Sequence, residues 1–301
     1  MSFANKILMV RPYAFGYNPE TAESNVFQKE SDLSAEEVQR RALEEFDRMV
    51  EGLRSEGIEV LVFNDKPEPH TPDAVFPNNW FSTHPGGTLC LYPMEAVARR
   101  GERDPDIVEA VEKAIEVQRK IDLTPAEEQG TFLEGTGSLI LDQDNRIAYA
   151  CISSRTDPGL LDIWAHMMKF QTVHFHSYDS EGAPIYHTNV MMCLGDRFAV
   201  VCIESVTDEA EREKLAKSLR DSGKEIIEIS FQQMYDFAGN MILLRNKDDE
   251  KILVMSQRAF DSLEEAQVKK MESYAKLLAF DIKTIEDLGG GSARCMIAEI
   301  F

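Results

Sequence analysis

Three consecutive glycines precede one of the five cysteines of the chain, in the segment Gly289-Gly290-Gly291-Ser292-Ala293-Arg294-Cys295. Glycines let the backbone approach a ligand without interference from Cβ atoms, and a thiolate is a strong nucleophile when its surroundings favour the ionised form. The alternative interpretation of Cys295 is a loop that ends in a buried structural cysteine. We adopt that structural interpretation for the cysteines within apolar stretches, Cys90, Cys151, Cys193 and Cys202.

One of the six histidines also has a suggestive setting. His187 lies in Tyr186-His187-Thr188-Asn189, at the start of a predicted strand, and an imidazole can act as general acid and base near neutral pH. We interpret the others, which have no glycine-rich or acidic motif beside them, as structural: His70, His84, His166, His174 and His176. The last two are two residues apart, but no cysteine or further histidine gives them metal-site spacing. We therefore predict no metal site.

Two further segments place polar residues just before predicted strands. Glu134 stands alone among apolar residues and glycines in the stretch 131–137, and a buried carboxylate usually has a partner or a chemical role. The stretch 73–81 contains Asp73, two adjacent asparagines and a tryptophan that could line a pocket. The alternatives are an exposed glutamate in a turn and asparagines that only cap a turn.

The elements that must position these residues follow one repeated pattern of two short strands, a helix and a third strand. The repeats are roughly 50–60 residues long, a length typical of repeated supersecondary units. Strands are predicted at 73–84, 87–92, 139–141, 147–150, 173–175, 189–194, 198–203, 226–229, 241–244 and 252–255. Helices are predicted at 104–120, 157–169, 207–222 and 257–279. Turn-forming Gly, Pro, Asp and Asn residues join the paired strands.

The two ends of the chain complete a fifth unit. Its strands are predicted at 7–11, 58–63 and 294–300 and its helix at 35–53, where Ser34 and Glu37 fit a capping box. We therefore expect an α/β ring of five ββαβ units with pseudo-fivefold symmetry, forming one catalytic domain over residues 1–301. An ordinary α/β sheet with alternating elements is the alternative.

A ring would bring Cys295, His187 and Glu134 from different repeats to its axis, where strand ends and loops form a central site. A cysteine and a histidine alone would also fit a papain-like hydrolase. In that class the cysteine comes early in the mature sequence and the histidine follows. Here the order along the chain is Glu, His, Cys, which argues against it.

Composition limits the class of partner. The 32 Lys and Arg against 53 Asp and Glu give a formal net charge of −21, so we expect neither nucleic-acid nor anionic-membrane binding. Hydrophobic residues make up 43%, enough for a core, and no apolar run reaches the roughly 18–20 residues of a membrane span. Dispersed cysteines fit free thiols in a reducing compartment. We expect a cytoplasmic protein with a small-molecule substrate, and a homo-oligomer is compatible with the sequence.

The motifs around these residues resemble those of the guanidino-group-modifying superfamily, whose pentein fold is a five-bladed α/β propeller. It includes arginine deiminase, dimethylarginine dimethylaminohydrolase, succinylarginine dihydrolase and the amidinotransferases, and this chain is most similar to an amidinotransferase-like bacterial branch with citrulline-utilisation hydrolases. The resemblance extends over essentially the whole chain. It is carried by Glu134-Gly135-Thr136-Gly137, Ser154-Arg155-Thr156, His187, the approach to Cys295, and, in the N-terminal loop, Asn18, Thr21, Asn25, Phe27 and Gln28.

The resemblance implies a role for each matched residue. Cys295 would attack the central carbon of a guanidinium or ureido group, without a metal or organic cofactor. His187 would protonate the departing amine and then activate water, and Glu134 would hydrogen-bond substrate nitrogens and hold the histidine. Arg155 would bind the substrate α-carboxylate through its bidentate fork. The pocket would be lined by Asp73 and Phe76.

Two positions depart from the arginine deiminases. Those enzymes carry an aspartate where this chain has Asn79 and another where it has Asn189, two residues after the histidine. An uncharged amide suits a neutral ureido group better than a guanidinium. For a cationic substrate, each exchange would remove charge-assisted hydrogen bonds, on the order of 1.5–3 kcal/mol. We therefore predict hydrolysis of citrulline to ornithine, ammonia and carbon dioxide.

Three alternatives stay open. An amidinotransferase, in which an amine replaces water, would use the same cysteine, histidine and acid. An arginine-derivative deiminase or dihydrolase is the second, and a non-catalytic pentein ring that only binds its ligand is the third. Residues 13–28 are polar and contain Gly and Pro, so we also predict that they form a lid over the substrate.

Overall fold

The computed structural model describes residues 3–22 and 24–301, and its strands form five three-stranded sheets. In each sheet the middle strand pairs antiparallel with the first strand and parallel with the third. Helical segments connect the middle strand to the third. We call each sheet with its helix a blade, numbered 1 to 5 in the chain order of the first strands. The predicted ββαβ repeat is confirmed.

The blades have the following bounds. Blade 1 comprises strands Phe81–His84, Thr88–Leu91 and Arg119–Asp122 and helix Pro105–Ala114. Blade 2 comprises strands Ile140–Asp142, Ile147–Cys151 and Gln171–Phe175 and helix Pro158–Met168. Blade 3 comprises strands Met192–Leu194, Phe198–Val201 and Glu225–Glu228 and helix Glu209–Asp221. Blade 4 comprises strands Ile242–Arg245, Lys251–Ser256 and Lys276–Phe280 and helices Gln257–Ser262 and Glu265–Glu272. Blade 5 comprises strands Ala298–Ile300, Lys6–Arg11 and Glu59–Asn64 and helix Ala35–Ser55.

Short helical segments fill the connections between these elements. The α-helical ones are Pro19–Ala22, Val97–Arg100, Gly135–Ser138, Thr188–Met191, Phe231–Tyr235 and Lys283–Gly289. The 3-10 turns are Pro77–Asn79, Thr124–Gln129 and Ile203–Ser205. The first strands of neighbouring blades contact each other in three pairs: blade 5 with blade 1, blade 2 with blade 3, and blade 3 with blade 4. The segment just before the first strand of blade 2 also contacts the corresponding segments of blades 1 and 3. The first strands therefore surround the axis, and the segments that precede them meet at one of its ends.

Blade helices begin at side-chain caps. An aspartate accepts a backbone N–H at the start of three of them, namely Asp104, Asp157 and Asp208. Ser34 accepts the N–H of Glu37 at the start of the blade 5 helix, as predicted. The reciprocal half of the predicted capping box is replaced, because the Glu37 carboxylate pairs with Arg40 and Arg41 instead.

Two predicted helices are too long, because each includes the third strand of its blade. The helix predicted over 104–120 ends at Ala114, and the strand that follows buries only Ile121. A strand with one inward residue gives no alternating pattern by which to recognise it.

The helix predicted over 257–279 is interrupted by extended backbone at Leu263, after which Glu264 caps the second helix. The last part of that range is the strand Lys276–Phe280. Its leucines and alanine suit a helix as well as a strand, so composition did not separate the two.

Three predicted strands begin later than expected. The strands predicted from residues 73, 189 and 294 begin at Phe81, Met192 and Ala298. The skipped residues form the turns and short helices at the axis, including those that hold Asn79 and Asn189. His187 therefore precedes a short helix instead of opening a strand.

The core lies between each sheet and its neighbours and under the blade helices, and it contains four apolar clusters. Its largest side chains are those of Trp80 and Trp164, both fully buried. Over the described ranges, no helix combines the length and the apolar character needed to cross a membrane.

His84 provides a test of this packing, because it is buried in blade 1 and paired with a neutral group. Its Nε2 lies 2.8 Å from Ser82 Oγ, and burial, with a smaller effect of Arg146, lowers the pKa of His84 to about 3. At pH values between this lowered pKa and the ordinary histidine pKa, the folded state therefore binds one proton fewer than the unfolded state. We expect this group to reduce the free energy of unfolding by about 1.4 kcal/mol per pH unit as pH falls from about 6 towards 4.

Urea unfolding of His84→Gln across this pH range should show a slope shallower by that amount. The exposed His166 supplies the control, His166→Gln, which should keep the wild-type slope. Equal slopes in all three proteins would contradict a neutral buried His84.

Candidate active site

The segments before the first strands bring the predicted site residues together at the axis. Asn79 comes from blade 1, Glu134 from blade 2, His187 from blade 3 and Cys295 from blade 5. They meet around a small pocket at the axis. Its walls are Thr21, Asn25, Asp73, Phe76, Asn79, Arg99, Arg155, Tyr186, His187, Gly289, Gly290, Gly291 and Cys295. Among the described residues, the predicted site residues missing from these walls are Glu134 and Asn189, which contact His187 and Cys295 from behind.

The glycine-rich segment allows Cys295 to reach the pocket. Gly290 has a φ of +61°, a left-handed conformation that glycine adopts without strain. A Cβ atom on Gly289 or Gly291 would lie 2.7 or 3.0 Å from the ring of Phe76. The loop therefore packs on Phe76 through bare backbone, and Cys295 is left 4% exposed at the pocket.

Glu134 fixes the orientation of His187 from behind. The distance from His187 Nε2 to Glu134 Oε2 is 2.8 Å, and since a carboxylate only accepts, Nε2 carries the proton and Nδ1 keeps its lone pair. The second oxygen, Oε1, accepts the backbone N–H of Glu95 at 2.9 Å. Both oxygens are thus engaged within the protein. This geometry fits the predicted hold on the histidine and leaves the predicted contact of Glu134 with substrate nitrogens without support.

Nearby charges set the protonation states of this pair. Burial raises the pKa of Glu134, but the guanidinium of Arg155 and the hydrogen bond from His187 outweigh burial and bring the pKa to about 2. Burial lowers the pKa of His187 to about 4, although Glu134 opposes this effect. At neutral pH the pair is a carboxylate and a neutral imidazole, which can accept a proton at Nδ1.

Arg155 connects the pocket to the N-terminal segment. Its guanidinium donates to Ser24 Oγ at 2.7 Å and to the carbonyl of Thr21 at 3.0 Å. It also lies 4.8 Å from the centre of the Tyr186 ring and 3.5 Å from Glu134. Arg155 is therefore a buried cation at the pocket wall, and its predicted contact with the substrate α-carboxylate stays a prediction.

The described residues of the predicted lid, 13–22 and 24–28, lie against the pocket through several polar contacts. Asn25 donates to the carbonyl of Gly290 at 3.2 Å, and Gln28 donates to that of Gly289 at 3.3 Å. Asn18 Nδ2 donates to Asp73 Oδ2 at 2.8 Å. The segment thus closes over the glycine-rich loop, and its predicted motion as a lid stays a prediction.

Asp73 contributes a carboxylate to the pocket. Its Oδ2 accepts from Asn18 and Thr21, and Arg99 Nε lies 3.9 Å away. Burial raises the pKa of Asp73, and the neighbouring Arg99 offsets this only in part. Its Oδ1 is buried and has no hydrogen-bond partner among the described residues.

Arg99 is a pocket residue that the sequence analysis missed. It forms a bidentate ion pair with Glu102 at 2.8 and 2.9 Å. It also donates to Asn79 Oδ1 at 2.7 Å and to the carbonyl of Phe76 at 3.0 Å. In the sequence, Arg99 and Arg100 are adjacent in a charged stretch that is typical of an exposed surface. Only the fold shows that Arg99 is buried at the pocket, whereas Arg100 is partly exposed.

Asn79 and Asn189 each leave one buried polar atom without a partner in the described parts of the chain. Asn79 Oδ1 is taken by Arg99, so its unpaired atom is Nδ2. Asn189 Nδ2 donates to Cys295 Sγ at 3.3 Å, so its unpaired atom is Oδ1. A Cβ on Gly137 would lie 2.4 Å from Asn79 Nδ2 and 2.8 Å from the His187 ring, which places both groups around the same glycine.

Asn240 of blade 4 is the second residue that the sequence analysis missed. Its Nδ2 lies 3.2 Å from Cys295 Sγ. It stands two residues before a first strand, as Asn79 does in blade 1, and this equivalence of the repeats was the signal that could have found it.

The arrangement contains a thiol, a neutral imidazole with a free nitrogen, and donors and acceptors for a planar polar group. Over the described residues, no group of three or more His, Cys, Asp or Glu side chains is placed to hold a metal ion. The chemistry that these side chains can perform is nucleophilic attack by sulfur with proton transfer through His187.

The orientation of His187 can be tested by NMR of protein labelled with ¹⁵N-histidine. We expect His187 to remain neutral with the proton on Nε2 from about pH 5 to about pH 8, because burial disfavours the cation. The variant Glu134→Gln should lose the strict preference for this tautomer, since an amide can also donate. Protonation of both nitrogens above pH 6, or the opposite tautomer, would contradict the geometry.

The family model described as N,N dimethylarginine dimethylhydrolase, eukaryotic, matches residues 11–301. No curated protein sequence matches the chain.

Solved structures share the fold at low sequence identity. ArgZ, described as an arginine dihydrolase from the ornithine-ammonia cycle in cyanobacteria, has a TM-score of 0.74 and 19% identity, over 98% of this chain and 40% of ArgZ. AgrE in complex with L-arginine has a TM-score of 0.76 and 17% identity, over 98% of this chain and 40% of AgrE. A dimethylarginine dimethylaminohydrolase adduct with S-methyl-L-thiocitrulline has a TM-score of 0.66 and 16% identity, over 99% of both chains.

This chain therefore spans about 40% of the length of ArgZ and AgrE, and at these identities the likeness concerns the fold. The match of the family model covers nearly the whole chain. The chain belongs to the family described as N,N dimethylarginine dimethylhydrolase, eukaryotic, and it has the pentein fold.

Proposed function

We propose that this chain is a thiol hydrolase of a ureido amino acid, converting citrulline to ornithine, ammonia and carbon dioxide. Residues 1–301 act in this proposal as one catalytic domain. The family match supports the hydrolase class, and the polar groups of the pocket support the neutral ureido group as the reacting part of the substrate.

The orientation of the Asn79 amide carries the proposal. Arg99 can only donate hydrogen bonds, so its contact with Asn79 at 2.7 Å fixes Oδ1 on the arginine side. The atom left over, Nδ2, is a buried donor without a partner among the described residues. A buried donor costs free energy unless it meets an acceptor, so the substrate is expected to present one here.

A ureido group matches these atoms. Its carbonyl oxygen accepts from Asn79 Nδ2, and its N–H groups donate to the free oxygens of Asp73 and Asn189. A guanidinium carries only donors, so it would face Asn79 Nδ2 with a second donor and leave both unsatisfied.

The proposed reaction passes through a covalent adduct on Cys295. His187 Nδ1 takes the thiol proton, the sulfur bonds to the ureido carbon, and ammonia leaves with the proton held by His187. Water, deprotonated by His187, then displaces the sulfur. The resulting carbamate loses carbon dioxide and gives ornithine. Arg155 would hold the α-carboxylate at the far end of the substrate.

Hydrolysis of an arginine derivative is the second candidate, favoured by the Asp73 carboxylate in the pocket. A carboxylate with one free oxygen suits a guanidinium N–H. Arg99 and the two donors to Oδ2 already compensate much of its charge, so we place this candidate second.

The nucleophile is tested by a substrate screen that measures ammonia and the amino-acid product. We expect citrulline to give ornithine in the wild type, and Cys295→Ala to lose activity by at least about 10³-fold, because no adduct forms. Cys202→Ala changes another buried cysteine and should retain activity. Turnover of arginine or methylarginines in place of citrulline would favour the second candidate. A requirement for an added amine would indicate a transferase, and no turnover at all would indicate a binding module.

The donor at Asn79 is tested by Asn79→Asp, which replaces Nδ2 by an acceptor. We expect kcat/KM for citrulline to fall by about 10- to 100-fold, and the ratio of arginine to citrulline turnover to rise by a similar factor. Asn64→Asp makes the same change at an exposed strand end and should leave both values unchanged. An unchanged ratio in Asn79→Asp would exclude this side chain as the source of specificity.

A further inference from the structure

Two side-chain amides donate hydrogen bonds to the sulfur of Cys295. Over the described residues, the hydrogen bonds to Sγ come from Asn189 Nδ2 at 3.3 Å and Asn240 Nδ2 at 3.2 Å. Both donors are buried, with Asn240 only 1% exposed. A thiolate formed here is therefore met by two N–H groups that solvent does not compete for.

Backbone contacts fix which end of the Asn240 amide faces the sulfur. Its Oδ1 accepts the N–H of Arg294 at 3.0 Å and that of Cys295 at 3.4 Å. Backbone N–H groups only donate, so the oxygen must point to the loop and the nitrogen to the sulfur. The nitrogen also donates to the carbonyl of Asn189 at 2.8 Å, which ties the two donors together.

The position of Asn240 depends on the glycine before it. A Cβ on Gly239 would lie 2.3 Å from the carbonyl oxygen of Val190, so a larger residue could not follow this path. The turn before the first strand of blade 4 therefore packs directly against the short helix Thr188–Met191 that precedes the first strand of blade 3. This close approach brings Asn240 to the nucleophile that blade 5 supplies.

A cationic substrate would help to ionise a neighbouring thiol, because positive charge stabilises the thiolate. A ureido group carries no charge and gives no such help. Hydrogen bonds to an ionised acceptor are stronger than those between neutral groups. Two fixed amide donors can therefore supply part of the stabilisation that the substrate does not bring.

We propose that Asn240 is a further catalytic residue, which acts with Asn189 to stabilise the negative charge that develops on the sulfur of Cys295 as it loses its proton and attacks a neutral substrate. This inference rests on the proposed function. In the attack, the S–H proton moves to His187 Nδ1 and a sulfur electron pair forms the C–S bond. The carbonyl π pair moves onto oxygen, which Asn79 Nδ2 faces. When that pair returns, the C–N bond breaks and the nitrogen leaves with the proton from His187.

The alternative is that Asn240 only caps the loop through its oxygen. Two substitutions separate these roles. Asn240→Asp keeps the oxygen that caps the backbone and replaces the donor, whereas Asn240→Ala removes both ends without adding charge. Both substitutions remove the amide N–H group that Asn240 donates to the sulfur of Cys295.

The first measurement is the pH dependence of Cys295 alkylation by iodoacetamide, followed by mass spectrometry. Both variants should move the midpoint of this profile upward by about one pH unit, and kcat for citrulline should fall about 10- to 100-fold. KM should change by less than about threefold, because Asn240 does not belong to the described pocket walls. Asn246→Asp is the control, since Asn246 is buried and caps backbone N–H groups with its Oδ1.

The outcomes distinguish the donor from its alternatives. A shift in the alanine variant alone would assign Asn240 to capping, and a shift in the aspartate variant alone would reflect added charge; either result overturns the proposal. If the alanine variant does not fold, Asn240→Leu fills the same space without a donor and takes its place. A shift in both variants without citrulline turnover would support the donor role while contradicting the proposed function.

Discussion

The buried guanidinium of Arg99 sets the polarity of the pocket. An arginine side chain donates and never accepts, so every group that it contacts must turn an oxygen towards it. The carboxylate of Glu102, the carbonyl of Phe76 and the amide of Asn79 all do so. Asn79 belongs to the pocket wall, and its amide nitrogen is left as a buried donor without a partner among the described residues, where a carboxylate would supply an acceptor. In the proposed function, the preference for a ureido group over a guanidinium thus depends on a cation that need not touch the substrate.

The sequence patterns were sufficient to predict the ββαβ repeat and, in most blades, the first two strands of each sheet. The paired strands carry apolar runs and clear turn residues, and the contact of the two chain ends followed from the leftover strands. The third strands of blades 1 and 4 were missed for a physical reason. An edge strand that buries one residue, such as Ile121, has no period to detect, and one rich in Leu and Ala fits either structure.

The site was accessible from sequence only where residue type and resemblance agreed. Cys295, His187 and Glu134 were predicted in this way and the fold brings them together, although Glu134 contacts the histidine from behind instead of lining the pocket. Arg99 and Asn240 carry no local motif. Their importance arises from contacts between different blades or between a connecting segment and a turn, and such contacts exist only once the ring has formed. Long-range geometry, rather than composition, decides which arginine or asparagine belongs to a site.

The proposed nucleophile, Cys295, lies where the two ends of the chain pair to close the ring. Cys295 precedes the strand Ala298–Ile300, which pairs with Lys6–Arg11 through only three residue pairs. The first strands of blades 2 and 3 also pair through three residues, but the blade 5 strand is the one that Cys295 directly precedes. Local opening of such a strand need not unfold the rest of a protein, and here it would carry Cys295 away from His187. With Cys295 as the proposed nucleophile, inactivation and unfolding would be separate events, and activity would report whether the two ends of the chain remain paired.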